Sequence, residues 1–300
     1  LKYTGTIYRP PFEAKSLLLQ VTSGCSHNQC SFCSMYQDVP FQIETLEQIE
    51  ADLKEARHNY PYVQRIFLVN GDPFALSADK LKAIGQKIHE ILPEVETIAM
   101  YASINNIINK TDEELKELRN LRINDLNIGV ESGLPEVLEC FNKGFTLEEA
   151  KRQLRRLQVA GIDYSVNIIL GGAGGGKGLQ HAQASSQLLN EIKPRLIFVG
   201  GLHLEPGTRM EELIQSGAFT ESTLRETIDE EAAMLGMLNL ENTIFYGLHP
   251  SNAVPVYGHL PEDKQDLLAA LQDGLNSISK DYLDSAHLKK GPEGNLSLRL

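Results

Sequence analysis

Three hundred residues with 42% hydrophobic and 23% charged content describe one large globular domain or two ordinary ones, with room for a substantial core. The net charge of −12 disfavours a broad phosphate-binding surface, and with it nucleic acid as a partner. No apolar run approaches the ~18–20 residues that cross a bilayer, and Leu1–Thr6 has no signal-peptide core, so neither a membrane role nor export is expected.

In chain order, residues 1–15 contain Pro10-Pro11 and read as an extended lead-in. Apolar Ser16–Val21 predicts a first strand, followed by a polar loop carrying Cys25, Cys30 and Cys33. Leu46, Ile49 and Leu53 mark one face of a helix running from Thr45 to about Asn59. Arg65–Val69 is a second strand, ending at Asn70-Gly71-Asp72-Pro73, and Ser77 caps a helix through Leu81, Ile84 and Ile88 to Leu92. A third strand over Thr97–Ala102 precedes a helix opened by the capping box Thr111-Asp112-Glu113-Glu114. Asp125–Val130 is the fourth strand. Pro135 opens a short helix, and Thr146 with Glu149 caps another reaching Ala160-Gly161. Tyr164–Leu170 is the fifth strand, with a glycine run and a helix over 179–192 after it. Arg195–Val199 is the sixth, reaching toward Leu204.

Six strand–helix units whose strands are apolar at nearly every position imply an α/β fold with a parallel sheet covered by helices, wound doubly or curled into a barrel. In either topology function gathers at the C-terminal strand ends. The cysteine loop, Asn70-Gly71-Asp72, Ser103-Ile104-Asn105, Glu131-Ser132 and the glycine run all fall there. From about Pro206 the alternation stops. A helix over 220–241, a strand over Thr243–Leu248 and one long helix from Pro261 to about Tyr282 with Leu267, Leu268 and Leu271 at core spacing are expected, and the last fifteen residues read as loosely ordered.

Three thiols within nine residues suit a soft metal or an iron–sulfur cluster rather than a disulfide framework, and a reducing cytoplasm is the matching compartment. A four-ligand zinc site lacks an evident fourth donor, since His27 lies inside the loop and Cys140 is remote in sequence. Cys140 and Tyr36 read as packing. His203 and Glu205 are candidates for the substrate side, and His249, Tyr257 and His259 lie in the C-terminal part.

With three clustered cysteines after strand one and Phe32 just before Cys33, the chain resembles the radical S-adenosylmethionine (SAM) enzymes over about residues 16–205. The family's usual spacing is three then two, whereas here four residues separate Cys25 from Cys30 and two separate Cys30 from Cys33. The resemblance implies a partial, six-unit (β/α) TIM-type barrel over 16–205, after the lead-in 1–15, with a mainly helical C-terminal extension over 206–300 packed on it. It implies that Cys25, Cys30 and Cys33 bind a [4Fe–4S] cluster whose fourth iron takes SAM, and that an electron donor such as flavodoxin or ferredoxin drives cleavage to a 5′-deoxyadenosyl radical. Gly71 and Asp72 match the turn that receives the SAM amino group. Glu131 and Lys143, twelve positions apart, match the ribose and carboxylate contacts of the oxygen-independent coproporphyrinogen oxidase and Elongator-type group, with lysine where those oxidases have arginine. Ser103, Asn105 and Asn167 match polar positions at strand ends, and Gly171 with its neighbours a backbone approach to the adenine. These are cofactor contacts, and no catalytic residue is identified. The substrate is expected to be a small molecule, and the absence of a second cysteine cluster argues against methylthiotransferases.

Two other readings stay open on the residues: a non-catalytic zinc or iron–sulfur protein, and a nucleotide hydrolase. The second rests on Gly171–Lys177, which fits G-x-x-x-x-G-K between a strand and a helix, although Gly178 stands where a magnesium-binding Ser or Thr belongs.

Overall fold

The computed structural model describes residues 1–290 and 296–299. Its strands are β1 (Leu17–Gln20), β2 (Thr22–Ser23), β3 (Gln42–Ile43), β4 (Arg65–Val69), β5 (Thr97–Ala102), β6 (Ile123–Glu131), β7 (Asp163–Leu170), β8 (Leu196–Gly201), β9 (Thr243–Gly247), β10 (Val256–Leu260), β11 (His287–Lys290) and β12 (Leu296–Arg299). Eight of them form one sheet in the order β1-β4-β5-β6-β7-β8-β9-β10. The pairings β1–β4, β4–β5, β5–β6, β7–β8 and β8–β9 are parallel, and β9–β10 is antiparallel. All six expected strand–helix units are present, and the parallel series runs one strand further than the sequence pattern indicates. No helix is long and apolar enough to cross a membrane among the described residues.

The helices begin where short-range chemistry starts them. Thr45 and Ser77 accept from the Gln48 and Lys80 amides and open α1 (Leu46–Asn59) and α2 (Ala78–Ile91). Reciprocal capping boxes at Thr111/Glu114 and Thr223/Glu226 start α4 (Asp112–Asn120) and α9 (Leu224–Met237), and Thr146 exchanges bonds with Glu149 ahead of α6 (Leu147–Ala160). The other helices are α3 (Ile104–Ile108), α5 (Pro135–Cys140), α7 (Gly178–Ile192), α8 (Arg209–Gln215), α10 (Lys264–Ser277) and α11 (Lys280–Ser285).

Three expectations need correction, and three elements are unexpected. The long helix expected from Pro261 to Tyr282 is two, α10 and α11, interrupted at Ile278, an extended residue. Its core face is Leu267 and Leu271, both buried, while Leu268 is half-buried. The short helices α3 and α8 and strand β10 carry no periodic signal long enough to announce them. The expected loose C-terminus instead contains an antiparallel β11–β12 pairing, and the part of that expectation on 291–295 and 300 lies outside the described residues.

The chain forms two compact units, one of Leu1–Asn28, Met35–Gly129 and Arg152–Tyr164, the other of Gln29–Ser34, Val130–Lys151 and Ser165–Leu300. The cysteine loop therefore contributes Cys25 to the first and Cys30 and Cys33 to the second. In the first unit, Arg65 at the start of β4 joins Asp125 at 2.5 Å and the buried Glu13, fastening the N-terminal segment to the sheet. In the second, Leu134, Val137, Phe141 and Met210 make a core against which Phe32 packs.

Candidate active site

In the first unit the loops after β2 and β4 come into direct contact. Asn70 and Gly71 both have positive φ, +70° and +84°, and a Cβ on Gly71 would lie 1.6 Å from the Gly24 carbonyl oxygen. Only glycine permits that approach. The Gly71 amide donates to the Tyr36 hydroxyl at 2.9 Å, so Tyr36, read from sequence as packing, also holds the turn. Asp72 is buried and makes no ion pair among the described residues. It accepts from the Ser26 hydroxyl and, at 3.3 Å, from the Asn106 amide. Burial pushes its carboxyl up, against the pull of those hydrogen bonds and of Lys110. A buried carboxyl held in this way is a receptor for a cationic group. Asn106 also accepts from the Ser103 amide at 2.7 Å, so it joins Ser103 to Asp72. Sequence reasoning passed over Asn106, although the spacing Ser103-x-x-Asn106 is that of a cap. Ser103 itself caps α3. Cys25 accepts from the Asn28 amide at 3.4 Å.

In the second unit Cys30 and Cys33 bracket Phe32, whose ring lies 4.6 Å from that of Phe141. Backbone bonds pin the segment: the Ser31 amide donates to the Phe141 carbonyl at 3.0 Å, and the Met210 amide to the Ser31 carbonyl at 2.7 Å. Ser34, next to Cys33, donates its amide to Glu205 at 2.6 Å, and the other Glu205 oxygen meets His203 Nε2 at 3.1 Å. All four cysteines are half-buried and none is in a disulfide. Glu131 and Lys143 pair at 3.1 Å with side chains 8% and 10% exposed, so both charges are largely shielded from solvent. Burial alone would lower the Lys143 ammonium, but Glu131 and the two nearby thiols outweigh it and leave it raised. Burial pushes the Cys30 thiol up despite Lys143, so ligation there would release a proton. Glu131 has φ +75°, a left-handed conformation that costs a non-glycine residue about 1 kcal/mol or more and concentrates at functional positions.

Asn167 lies within β7, and Gly171 follows its last residue. The Asn167 amide oxygen is buried without a partner, as a site for a hydroxyl or N–H donor requires. The glycine run differs from expectation. Its amides are already used: Gly171 donates to Glu230 at 3.1 Å, Gly176 to Glu226 at 2.8 Å and Gly175 to the Thr220 carbonyl at 2.8 Å. Two carboxylates occupy the place where the hydrolase reading needs a phosphate, and Lys177 is exposed, so that reading fails. A Cβ on Gly174 would lie 2.8 Å from the Thr220 carbonyl oxygen, so the glycine is there for the C-terminal segment rather than an adenine. Behind the run lies a chain that sequence reasoning missed. His181, fully buried, joins Ser132 at 2.8 Å to Glu230 at 2.7 Å.

The residues present fit the two groups that the cysteine pattern implies: soft donors free of disulfides, a buried carboxyl for an ammonium, and an unpartnered amide oxygen for a hydroxyl. Residues 19–175, more than half the chain, match the family model described as Radical SAM superfamily. The chain is 25% identical over 199 residues to the heme chaperone HemW of Bacillus subtilis (strain 168), covering 64% of this chain and 52% of that protein, so it spans about half the length of this curated relative. Two solved structures share the fold. The radical SAM methyltransferase TsrM from Kitasatospora setae, with cobalamin and a [4Fe–4S] cluster bound, has TM-score 0.55 and 18% identity over 68% of this chain and 37% of its own. The archaeal Elp3 of Methanocaldococcus infernus, with an N-terminal deletion, has TM-score 0.56 and 12% identity over 88% and 64%. The chain belongs to the radical SAM superfamily, and its cofactors are a [4Fe–4S] cluster and SAM.

Proposed function

We propose that the protein is an enzyme that cleaves SAM reductively and abstracts hydrogen from a small-molecule substrate, with Cys25, Cys30 and Cys33 as the cluster ligands. The observation that carries this reading is the state of the thiols: half-buried, outside any disulfide, and set on a loop whose backbone is fastened on both sides of Phe32. When bound, the cluster and SAM supply one-electron cleavage to a 5′-deoxyadenosyl radical. The chain's own residues bind, orient and exclude water. Asp72, placed by Gly71, Ser26 and Asn106, receives the SAM ammonium, and Ser103 supports it through Asn106. Lys143 offers its cation to the SAM carboxylate, and Glu131 and Asn167 take ribose hydroxyls. Phe32, against Phe141, keeps solvent from Cys30 and Cys33. Gly171 acts indirectly, by letting Glu230 reach the end of β7.

Residues 16–205 form the radical SAM core in this reading, and 206–300 an extension whose carboxylates stitch the glycine run. Three clustered thiols outside any disulfide suit a reducing compartment, so we place the protein in the cytoplasm, with a flavodoxin- or ferredoxin-type donor. Anaerobic reconstitution should give about four iron and four sulfide per chain, and dithionite with SAM should yield 5′-deoxyadenosine. Unchanged cluster content and cleavage in Cys30→Ala would refute the assignment.

A further inference from the structure

On one face of the second unit's sheet, register aligns four side chains across four neighbouring strands. Asn167 on β7 pairs with Phe198 on β8, Phe198 with Tyr246 on β9, and Tyr246 with Tyr257 on β10. Alternation puts Val166, Ile168, Ile197, Val199 and Phe245 on the opposite face, all buried. The Phe198 and Tyr246 rings stack with centroids 5.6 Å apart and 24° between planes, and Tyr257 meets Tyr246 edge-on at 5.7 Å. Phe198 is half-buried, Tyr246 is 9% exposed and Tyr257 is 47% exposed, so this face is open at Phe198 and Tyr257 where the other is sealed. One end of the row is finished by His249, 5.6 Å from Phe198 at 80°. The absence of a side chain at Gly200 makes room for it, because a Cβ there would stand 3.3 Å from His249 Nδ1. Asn252 fixes the loop that carries His249 by donating to the Val199 and Gly247 carbonyls at 3.0 and 2.9 Å. The aromatic wall is preorganised.

A second observation points to a ligand. Two residues before Asn167 on the same face, Ser165 is 1% exposed and its hydroxyl has no partner. The large majority of buried hydroxyls in native proteins are satisfied, so an unpaired one on the face that carries the aromatic row, one register step from it and opposite Leu196, marks a place for a polar ligand edge. We infer that this face binds the substrate, and that the substrate presents a flat, conjugated heterocycle whose ring stacks on the Phe198–Tyr246 row while an edge N–H or C=O meets Ser165. The inference rests on the proposed function, which gives Asn167 to the SAM ribose. Phe198 is one strand from Asn167, and adjacent strands lie ~4.8 Å apart, so a ring on the row is next to the cofactor. Flat rings gain from aromatic stacking whatever their substituents, and the hydroxyl selects a heterocycle over a hydrocarbon.

The test uses the reconstituted holoenzyme and lumichrome, a neutral, fluorescent, flat heterocycle with ring N–H and C=O groups. The chain has no tryptophan, so the probe is read without indole background. Saturable binding is expected, weakened at least tenfold by Phe198→Leu and less than threefold by Phe198→Tyr, which keeps the ring. No saturable binding, or equal losses in the two variants, overturns the inference. A tenfold loss of SAM affinity in Phe198→Leu alongside the loss of probe also overturns it, because the ring on the row would then be the cofactor's adenine. The two readings fail separately: absence of 5′-deoxyadenosine with dithionite and SAM rejects the proposed function, whereas its formation without probe binding rejects only the substrate assignment.

Discussion

Lys143→Met tests whether the Glu131–Lys143 contact is a buried pair in the energetic sense. Methionine keeps the length of the stem and the contact with Phe32 and Phe145, whose ring centroids lie 5.7 and 5.9 Å from the ammonium, and removes only the charge. At 3.1 Å, with an effective dielectric near ~20, the attraction is about 5 kcal/mol, and much of it repays the desolvation of two groups that are nine-tenths covered. The net value of the pair is therefore small. The cost of breaking it is large, because Glu131 is left charged and buried on a left-handed backbone. Lys143→Met should lose about 3–5 kcal/mol in urea unfolding of the apoprotein, and adding Glu131→Gln should recover most of that. If Lys143→Met costs less than about 1 kcal/mol, or if the two substitutions simply add, the pair behaves as a solvated surface bridge and the argument for a low-dielectric pocket beside Cys30 is wrong.

Gly71→Ala should lower both thermal midpoint and reconstituted iron, because the new Cβ overlaps the Gly24 carbonyl and the backbone is left-handed; normal iron loading would show that the two loops need not touch. Asp72→Asn should weaken SAM roughly ten- to a hundredfold by equilibrium binding while iron content stays normal, the cost of a lost charge-assisted bond; a change under twofold removes Asp72 from the ammonium. Glu231 is 2% exposed, and burial, then the neighbouring Glu230, pushes its carboxyl up to about 8. A native pKa above the unfolded value means the stabilisation is complete below about pH 4.5 and is lost as pH rises through about 8, by on the order of a few kcal/mol. Glu231→Gln should flatten the fall of the urea midpoint across that window, and an unchanged slope would place the titration elsewhere.

The parts legible in the sequence are those set by near neighbours. Caps at Thr45, Ser77, Thr111 and Thr146 start helices within one residue of expectation, because a cap is satisfied by an amide two or three residues on. The cluster-binding chemistry is legible for the same reason, since its three thiols lie within nine residues. The failures share a different cause. The glycines of 171–176 allow a phosphate cradle or a close neighbour equally well, and what decides is the arrival of Glu226 and Glu230, 50 and 59 positions later. Strand β10 contains a glycine and two exposed residues and exists as a strand by pairing with β9. Burial decides the chemistry of Asp72 and of the Glu131–Lys143 pair, and spacing carries no measure of burial.

The row Asn167–Phe198–Tyr246–Tyr257 is the limiting case. Its members are drawn from four strands over ninety positions, and a one-residue slip in any pairing would turn a ring to the opposite face. Register is fixed by the apolar alternation of the whole sheet, so the substrate surface is specified by residues that never touch substrate. That separates the two halves of the site physically. The cluster side is a local motif, portable from chain to chain on a short loop. The substrate side is a property of the assembled sheet, and it can change with a single substitution on one strand while every cysteine stays in place.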